Sequence, residues 1–254
     1  MHEDIWNVFP ATMEQGQAWI AYNHSFGEQA ESDPRNYALR VRVEFKDPNE
    51  QGLPTNEEFP ALSALDEALD EAIAGLGGIY VGRLTVGGAR YFYYYSNGTE
   101  EELNTAIGGV SDSSGYELTL EAQEDPDKER YFNELFPTED DWQVIQDLQV
   151  LDQLQEAGDN PDNEREIEHW AYFDNQGAAD QFAAWAKSEG FTIQKNKASQ
   201  HEPEEQEEEG YVVQFNHVGT THLADISNRT IRAGQKAREL GGNYDGWGTT
   251  VERD

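Results

Sequence analysis

The stretch Ile79-Tyr-Val-Gly-Arg-Leu-Thr-Val-Gly-Gly-Ala-Arg-Tyr-Phe-Tyr-Tyr-Tyr95 decides the fold of the first half of this chain. Two runs rich in β-branched and aromatic residues, 79–86 and 89–95, flank Gly87-Gly88. A two-residue hairpin turn that follows the strand twist needs positive φ at both central positions, which glycine adopts without steric cost. Working upstream, Leu62, Leu65, Leu69 and Ile73 recur at helical spacing, Asp66, Glu67, Asp70 and Glu71 face outward, and Gly77-Gly78 ends the helix. Before it, Leu39, Val41, Val43 and Phe45 alternate with Arg40, Arg42 and Glu44, the period of a strand with one wet face. Residues 17–23 form a leading strand. Downstream, Thr99-Glu-Glu-Glu102 is a capping box opening a short helix through Ile107, and 116–122 is a last strand. The expected order is a leading strand, then β-α-β-β-α-β.

The second half repeats the pattern without repeating the residues. A capping box at 138–141 opens a helix with Trp142, Ile145, Leu148, Leu151 and Leu154 on one face, and Gly158-Asp-Asn-Pro161 breaks it. A strand at 167–173, a helix striped by Ala179, Phe182, Ala183 and Ala186, and strands at 191–195 and 211–216 follow. Between those strands, 198–209 contains HEPEEQEEE, has no apolar anchor, and reads as a mobile hairpin loop. Leu223, Ile226, Thr230, Ala233, Ala237 and Leu240 stripe a long helix ending at Gly241-Gly242, and 249–252 could pair as a short strand. The fold class is therefore α+β: two ferredoxin-like, split β-α-β sandwich domains with antiparallel sheets and helices on one face. The expected division is 1–123 for the first domain, 124–137 for a charged, Pro-flanked linker, and 138–254 for the second.

Charge narrows the partners. The 254 residues include 51 acidic and 17 basic side chains, a formal net charge of -34. The first 137 residues carry 26 acidic and 8 basic side chains and the rest carry 25 and 9, so neither half owns the acidity. Such a surface repels nucleic acid and anionic lipid and attracts basic protein, although it also fits simple solubility or a saline cytoplasm. With no cysteine, disulfides and thiolate zinc sites are excluded. MHEDIWNVFP lacks the basic-then-apolar pattern of a signal peptide, and no apolar run approaches the ~18 residues of a membrane span. A cytoplasmic protein is the expectation.

Four stretches of the second half carry a family likeness: Gly158-Asp159, Arg165-Glu-Ile-Glu-His-Trp-Ala-Tyr-Phe173, the join Phe182…Gly190-Phe191, and Gly241-Gly-Asn-Tyr-Asp-Gly-Trp247. Together they resemble the regulator of ribonuclease E activity B family. The resemblance implies a ferredoxin-like fold, no catalysis, and binding to the endoribonuclease of the RNA degradosome. The front half, through Trp19-x-x-Tyr22, Gly52-Leu-Pro54, Phe59-Pro60 and Gly88-x-Arg90-x-x-Tyr93-Tyr94, resembles a bacterial family of domains of unknown function, number six-nine-five. That likeness brings no chemistry, and the extra domain leaves the ribonuclease target open.

Two candidate sites follow. Tyr244 and Trp247, framed by glycines and flanking Asp245, could form an aromatic partner-binding platform with His169 and Tyr172 nearby. Alternatively they are a post-helix turn whose rings pack on the sheet edge, with Asp245 bonding backbone amides; this is the favoured reading. Arg42, Arg83 and Arg90 with Tyr93, joined by Arg40, could converge as an anion pocket, or could pair with carboxylates such as Glu44 and Glu117. His169, His217 and His222 lack a metal-ligand spacing, and no nucleophile motif, phosphate loop or EF-hand is present, so no catalytic, cofactor or metal residue is assigned. The leading expectation is a non-enzymatic, acidic regulator that binds a basic protein segment, of a ribonuclease E-like enzyme if the family resemblance extends to the target, without direct nucleic-acid or membrane binding. The alternative is an enzyme or small-anion sensor using the arginine and tyrosine cluster.

Overall fold

In the computed structural model, which describes residues 4–198 and 210–253, the chain divides into two compact units, 1–137 and 138–254. The first unit opens with strands β1 (Trp6–Met13) and β2 (Gly16–Asn23), a short helix α1 (His24–Gln29) and a 3-10 turn. Then come β3 (Tyr37–Glu44), α2 (Phe59–Ala74), β4 (Ile79–Val86), β5 (Ala89–Ser96), α3 (Glu100–Ser114), β6 (Leu118–Glu124) and α4 (Glu129–Glu134). Its six strands pair in the order β1-β2-β4-β5-β3-β6, every contact antiparallel. The last four are the ferredoxin-like sheet. The expected single leading strand is a hairpin: β1, whose Pro10 and exposed flanks hide its periodicity, adds a further strand at the edge.

The turn residues perform as their chemistry requires. Gly87 and Gly88 take φ of 58° and 81°, and Val86 pairs with Ala89 across the turn. Thr99 accepts from the Glu102 backbone N–H while the Glu102 carboxylate accepts from the Thr99 N–H, and α3 continues past Ile107 to Ser114. Leu39, Val41, Val43, Phe92 and Tyr94 meet Leu62, Leu65, Leu69 and Ile73 of α2 and Leu103 and Ile107 of α3 in one core.

The stretch 124–137 corrects the expectation of a linker. It returns across the opposite sheet face and packs there. Tyr131 is wholly buried, stands 5.0 Å edge-on from Phe26, and donates its hydroxyl to the Asn23 carbonyl at 2.7 Å. Asp125 accepts from the Tyr95 hydroxyl and from the backbone N–H groups of Glu129 and Arg130. Lys128, at a φ of 59°, donates to the carbonyls of Asp33, Arg35 and Pro126. The charges that made this stretch look like a linker are the fastenings of a packed cap.

The second unit runs α5 (Glu139–Glu156), β7 (Arg165–Phe173), α6 (Gln176–Ser188), β8 (Thr192–Ala198), β9 (Tyr211–Gly219), α7 (Leu223–Glu239) and β10 (Gly242–Thr249). Strand order β10-β7-β9-β8, all antiparallel, is again ferredoxin-like. Ala171, Phe173, Val213 and Phe215 point to the helices and pack on Phe182, Ala183, Ala233 and Ala237. The hairpin loop expected at 198–209 lies outside the described residues apart from its first residue, which ends β8. The expected terminal strand moves forward: it is the Gly242–Thr249 stretch itself, paired along β7, with a bulge between Tyr244 and Gly246.

Candidate functional site

Strand alternation divides the second unit's sheet into two unlike faces. On the helix side the polar residues are buried and mutually satisfied. Asp147 of α5, fully buried, accepts from Gln143 Nε2 at 3.0 Å, Ser227 Oγ at 2.9 Å, Thr230 Oγ1 at 2.6 Å and Trp247 Nε1 at 2.9 Å. Burial pushes its pKa up, outweighing the four donors that pull it down. This carboxylate ties α5 to α7 and β10. The α5 face accordingly differs from the sequence expectation: Gln143, Val144, Ile145, Asp147 and Leu154 are buried, whereas Trp142, Leu148 and Leu151 are half-buried.

A second buried chain runs beside it. The ring Nδ1 of His169 lies 2.7 Å from the Tyr244 hydroxyl, and its Nε2 lies 3.0 Å from Nδ1 of His217. With both imidazoles neutral, the Tyr244 hydroxyl can donate to His169, which in turn donates to His217. Burial, then the charge of Arg229, depresses His217 to about 4; burial, then His217 and Arg229, holds His169 well below the ordinary value. Burial likewise raises the Tyr244 hydroxyl far above its usual range. His222 sits apart, exposed and bonded to Asp162. Among the described residues no group of three or more His, Asp or Glu is placed to hold a metal ion.

These positions correct the aromatic platform. Tyr244 and Trp247 are each 7% exposed and His169 is 0% exposed, and their rings pack into the core, so they present no surface platform to a protein partner. The bulge brings both aromatic rings inward from one strand, toward helices on either side of Phe173 and Ile167. Of the five proposed partner-binding residues only Asp245 is exposed, and Tyr172 is half-buried. Gly158-Asp159 and Arg165 also have a structural role. Asp159 and Arg165 form a buried ion pair, and Asp159 further accepts from the Glu252 N–H and the Thr221 hydroxyl. Burial alone would raise Asp159, but Arg165 and these donors hold its carboxyl below the usual range.

The other sheet face is different. Glu166, Glu168, Trp170 and Tyr172 of β7 alternate away from the core, beside Val212, Gln214 and Val218 of β9. No described helix of this unit covers them, since α5, α6 and α7 all pack on the opposite side. Trp170 lies over Gly248, where a Cβ would stand 3.7 Å from its ring, and Val218 is 67% exposed. Tyr172 was recognisable from sequence; Trp170 was missed, though its two-residue spacing from Tyr172 on a strand was the available signal.

The arginine and tyrosine cluster of the first unit is split by its sheet. Arg42 bonds Glu44 at 2.6 Å and the Tyr91 hydroxyl at 3.3 Å, and Tyr93 donates to Glu134 at 2.8 Å, both on the face carrying α4. Arg40 joins Glu121 and Glu134 there. Arg83 pairs with Asp66 of α2 at 2.6 Å, and Arg90 lies beside it on the α2 face. Arg42, Arg83, Arg90 and Tyr93 therefore do not form one pocket, because residues 90 and 93 point to opposite faces of β5.

Comparison with known proteins agrees with these two units. The model of the Family of unknown function (DUF695) matches residues 4–136, just over half the chain, and that described as Regulator of ribonuclease activity B matches 144–249. No curated protein matches. Among solved structures, an unknown protein from Galdieria sulphuraria aligns at 10% identity with a TM-score of 0.26, over 85% of this chain and 99% of that one. A chain described provisionally as a glycine cleavage system transcriptional repressor aligns at 6% identity with a TM-score of 0.26, over 87% of this chain and all of the other. Scores that low leave the fold resting on strand order and register.

Proposed function

The chain belongs to the DUF695 family through its first unit, and from that premise and the regulator match over 144–249 we propose that it is a non-catalytic regulator that acts by binding a ribonuclease. The observation that supports this most directly is the regulator match falling on a unit whose sheet face opposite the helices presents half-buried Trp170, Tyr172 and Val212 and exposed Val218 beside Glu166 and Glu168. Aromatic side chains give large contact area for little entropy, and acidic neighbours steer a basic segment toward it. The partner is a basic, apolar-flecked segment of a ribonuclease E-like enzyme, and the mechanism is occlusion of that segment in the cytoplasm. The histidines serve stability: His169 is sealed among Phe191, Phe215, His217 and Tyr244, leaving no face for a substrate. No described helix is long and apolar enough to cross a membrane.

The test is cleavage of a labelled RNA by purified ribonuclease E with the full chain added, alongside a direct binding measurement. Wild type should bind and slow cleavage. Trp170→Ser with Tyr172→Ser should weaken binding by about tenfold or more with the melting temperature held, as expected of a hot spot. Absence of binding by the wild type refutes the target, and full binding by the folded double variant refutes the face.

A further inference from the structure

The α2 face of the first unit holds a buried guanidinium that no described carboxylate bonds directly. Arg90 on β5 is only 4% exposed. Its Nε donates to Thr85 Oγ1 at 3.2 Å, its Cζ lies 6.0 Å from the Phe45 and Phe92 ring centroids, and among the described residues no carboxylate lies within 4.0 Å of it. The neighbouring Arg83 already holds Asp66. Two guanidinium groups therefore share one bonded carboxylate, in a chain with three acidic side chains for each basic one. Scarcity of carboxylates does not explain an unpaired buried arginine, and burying a charge without a partner is costly.

The surroundings are those of a ligand site. Arg83, Thr85 and Arg90 line a groove of about 280 Å³ whose walls are Val8, Trp19, Ala21, Leu53, Pro54 and Phe59. Register builds it: Trp19 pairs with Thr85 and Thr85 with Arg90, while Val8 pairs with Ala21 and Ala21 with Arg83. Two adjacent rows across the sheet thus each bring a guanidinium to the same face. At the rim, Val8 is 47% and Phe59 52% exposed.

We propose that this groove binds a small organic carboxylate whose apolar body is about the size of one aromatic ring, with Arg90 holding the carboxylate and Trp19, Val8 and Phe59 covering the body. The guanidinium fork matches carboxylate geometry, and the volume stands near the ~300 Å³ lower end of small-molecule pockets. Apolar walls and a single unpaired cation disfavour a doubly charged, strongly hydrated phosphate. Burial and the like charge of Arg83 both weigh against the protonated form of Arg90, and a bound anion relieves both. The site stands independently of the ribonuclease reading, since it lies in the other unit.

The experiment titrates the full chain with benzoate, with the neutral isostere benzamide and with inorganic phosphate, read by calorimetry and by ligand-detected NMR. Benzoate should saturate with a Kd on the order of 1 mM or tighter, and benzamide and phosphate should bind at least ~10-fold more weakly. Arg90→Met should lower benzoate affinity at least ~10-fold without lowering the melting temperature, whereas Arg42→Met, on the other sheet face, should leave it unchanged. Should Arg90→Met not fold, Val8→Glu at the rim, which sets a carboxylate against the ligand, should abolish benzoate binding instead. Lack of saturation by ~10 mM benzoate, benzamide or phosphate binding as well as benzoate, or undiminished binding by folded Arg90→Met or Val8→Glu overturns the proposal.

Discussion

Replacing Trp247 separates a packing role from a binding role, and the structure sets the size of the effect. Its indole is 7% exposed, packs with Leu154, Ile167 and Ile226, and donates to the buried Asp147 carboxylate at 2.9 Å. Trp247→Phe keeps most of the apolar volume and removes the N–H donor, leaving Asp147 with three of its four donors. A hydrogen bond to a charged group contributes about 1.5–3 kcal/mol, and Trp247→Ala adds a cavity for a total of about 3–5 kcal/mol or more. For a unit of this size each kcal/mol moves the melting temperature by roughly 3–6 °C, so Trp247→Phe should lower it by roughly 5–18 °C. The assay is calorimetry of the full chain, with hydrogen exchange assigning the weakened transition to α5, α7 and β10. Were Trp247 a partner anchor, Trp247→Ala would lose binding and keep its melting temperature. A Trp247→Phe melt within about a degree of wild type, with unchanged exchange in those elements, would refute the buried-network reasoning.

Other outcomes follow from the same structure. His169 and His217 are held neutral, so the unfolded chain takes up protons near pH 6.5 that the folded chain accepts only near 4 at His217 and well below the ordinary value at His169. Stability should be full above pH 6.5 and fall as pH drops toward 4, partly offset by Asp147, whose raised pKa favours the fold at low pH. Urea midpoints at several pH values, compared with His217→Gln, should show this slope flattened in the variant; an identical slope would remove the histidines as its cause. Asp159→Ala strands Arg165 in a site where both side chains are 3% exposed and should cost about 3–5 kcal/mol, read by denaturant unfolding. Gly242→Ala places a Cβ against the Phe173 ring and the Tyr172 carbonyl and should cost about 1–3 kcal/mol; a neutral result in the same assay would show that Phe173 can move. Limited proteolysis should spare 126–135, which α4 and Tyr131 hold to the sheet, and early cutting there would restore the linker reading.

The sequence by itself determined whatever depends on local periodicity and local bonds. The Gly87-Gly88 hairpin, the capping boxes at Thr99 and Thr138, and the alternation of Tyr37–Glu44 each follow from neighbouring residues, because turns, caps and strand faces are set within a few positions. Two split β-α-β sheets were legible for that reason, as was Tyr172 at a surface. Tertiary structure alone decided where charge is buried and which residues meet. Asp147 sits in a helix beginning Glu139-Asp-Asp141 and is indistinguishable from its solvated neighbours until Ser227, Thr230 and Trp247 arrive from ~80–100 residues away in sequence. The stretch 124–137 has a linker's composition, yet Asn23, Asp33 and Tyr95 supply partners that convert its charges and tyrosine into a cap. Arg90 and Tyr93 are three residues apart in sequence, an odd separation in strand parity, and so face opposite sides of one sheet. That parity breaks up the expected four-residue pocket and leaves Arg90 in its groove, because the faces available to a strand are fixed by what packs on each of them.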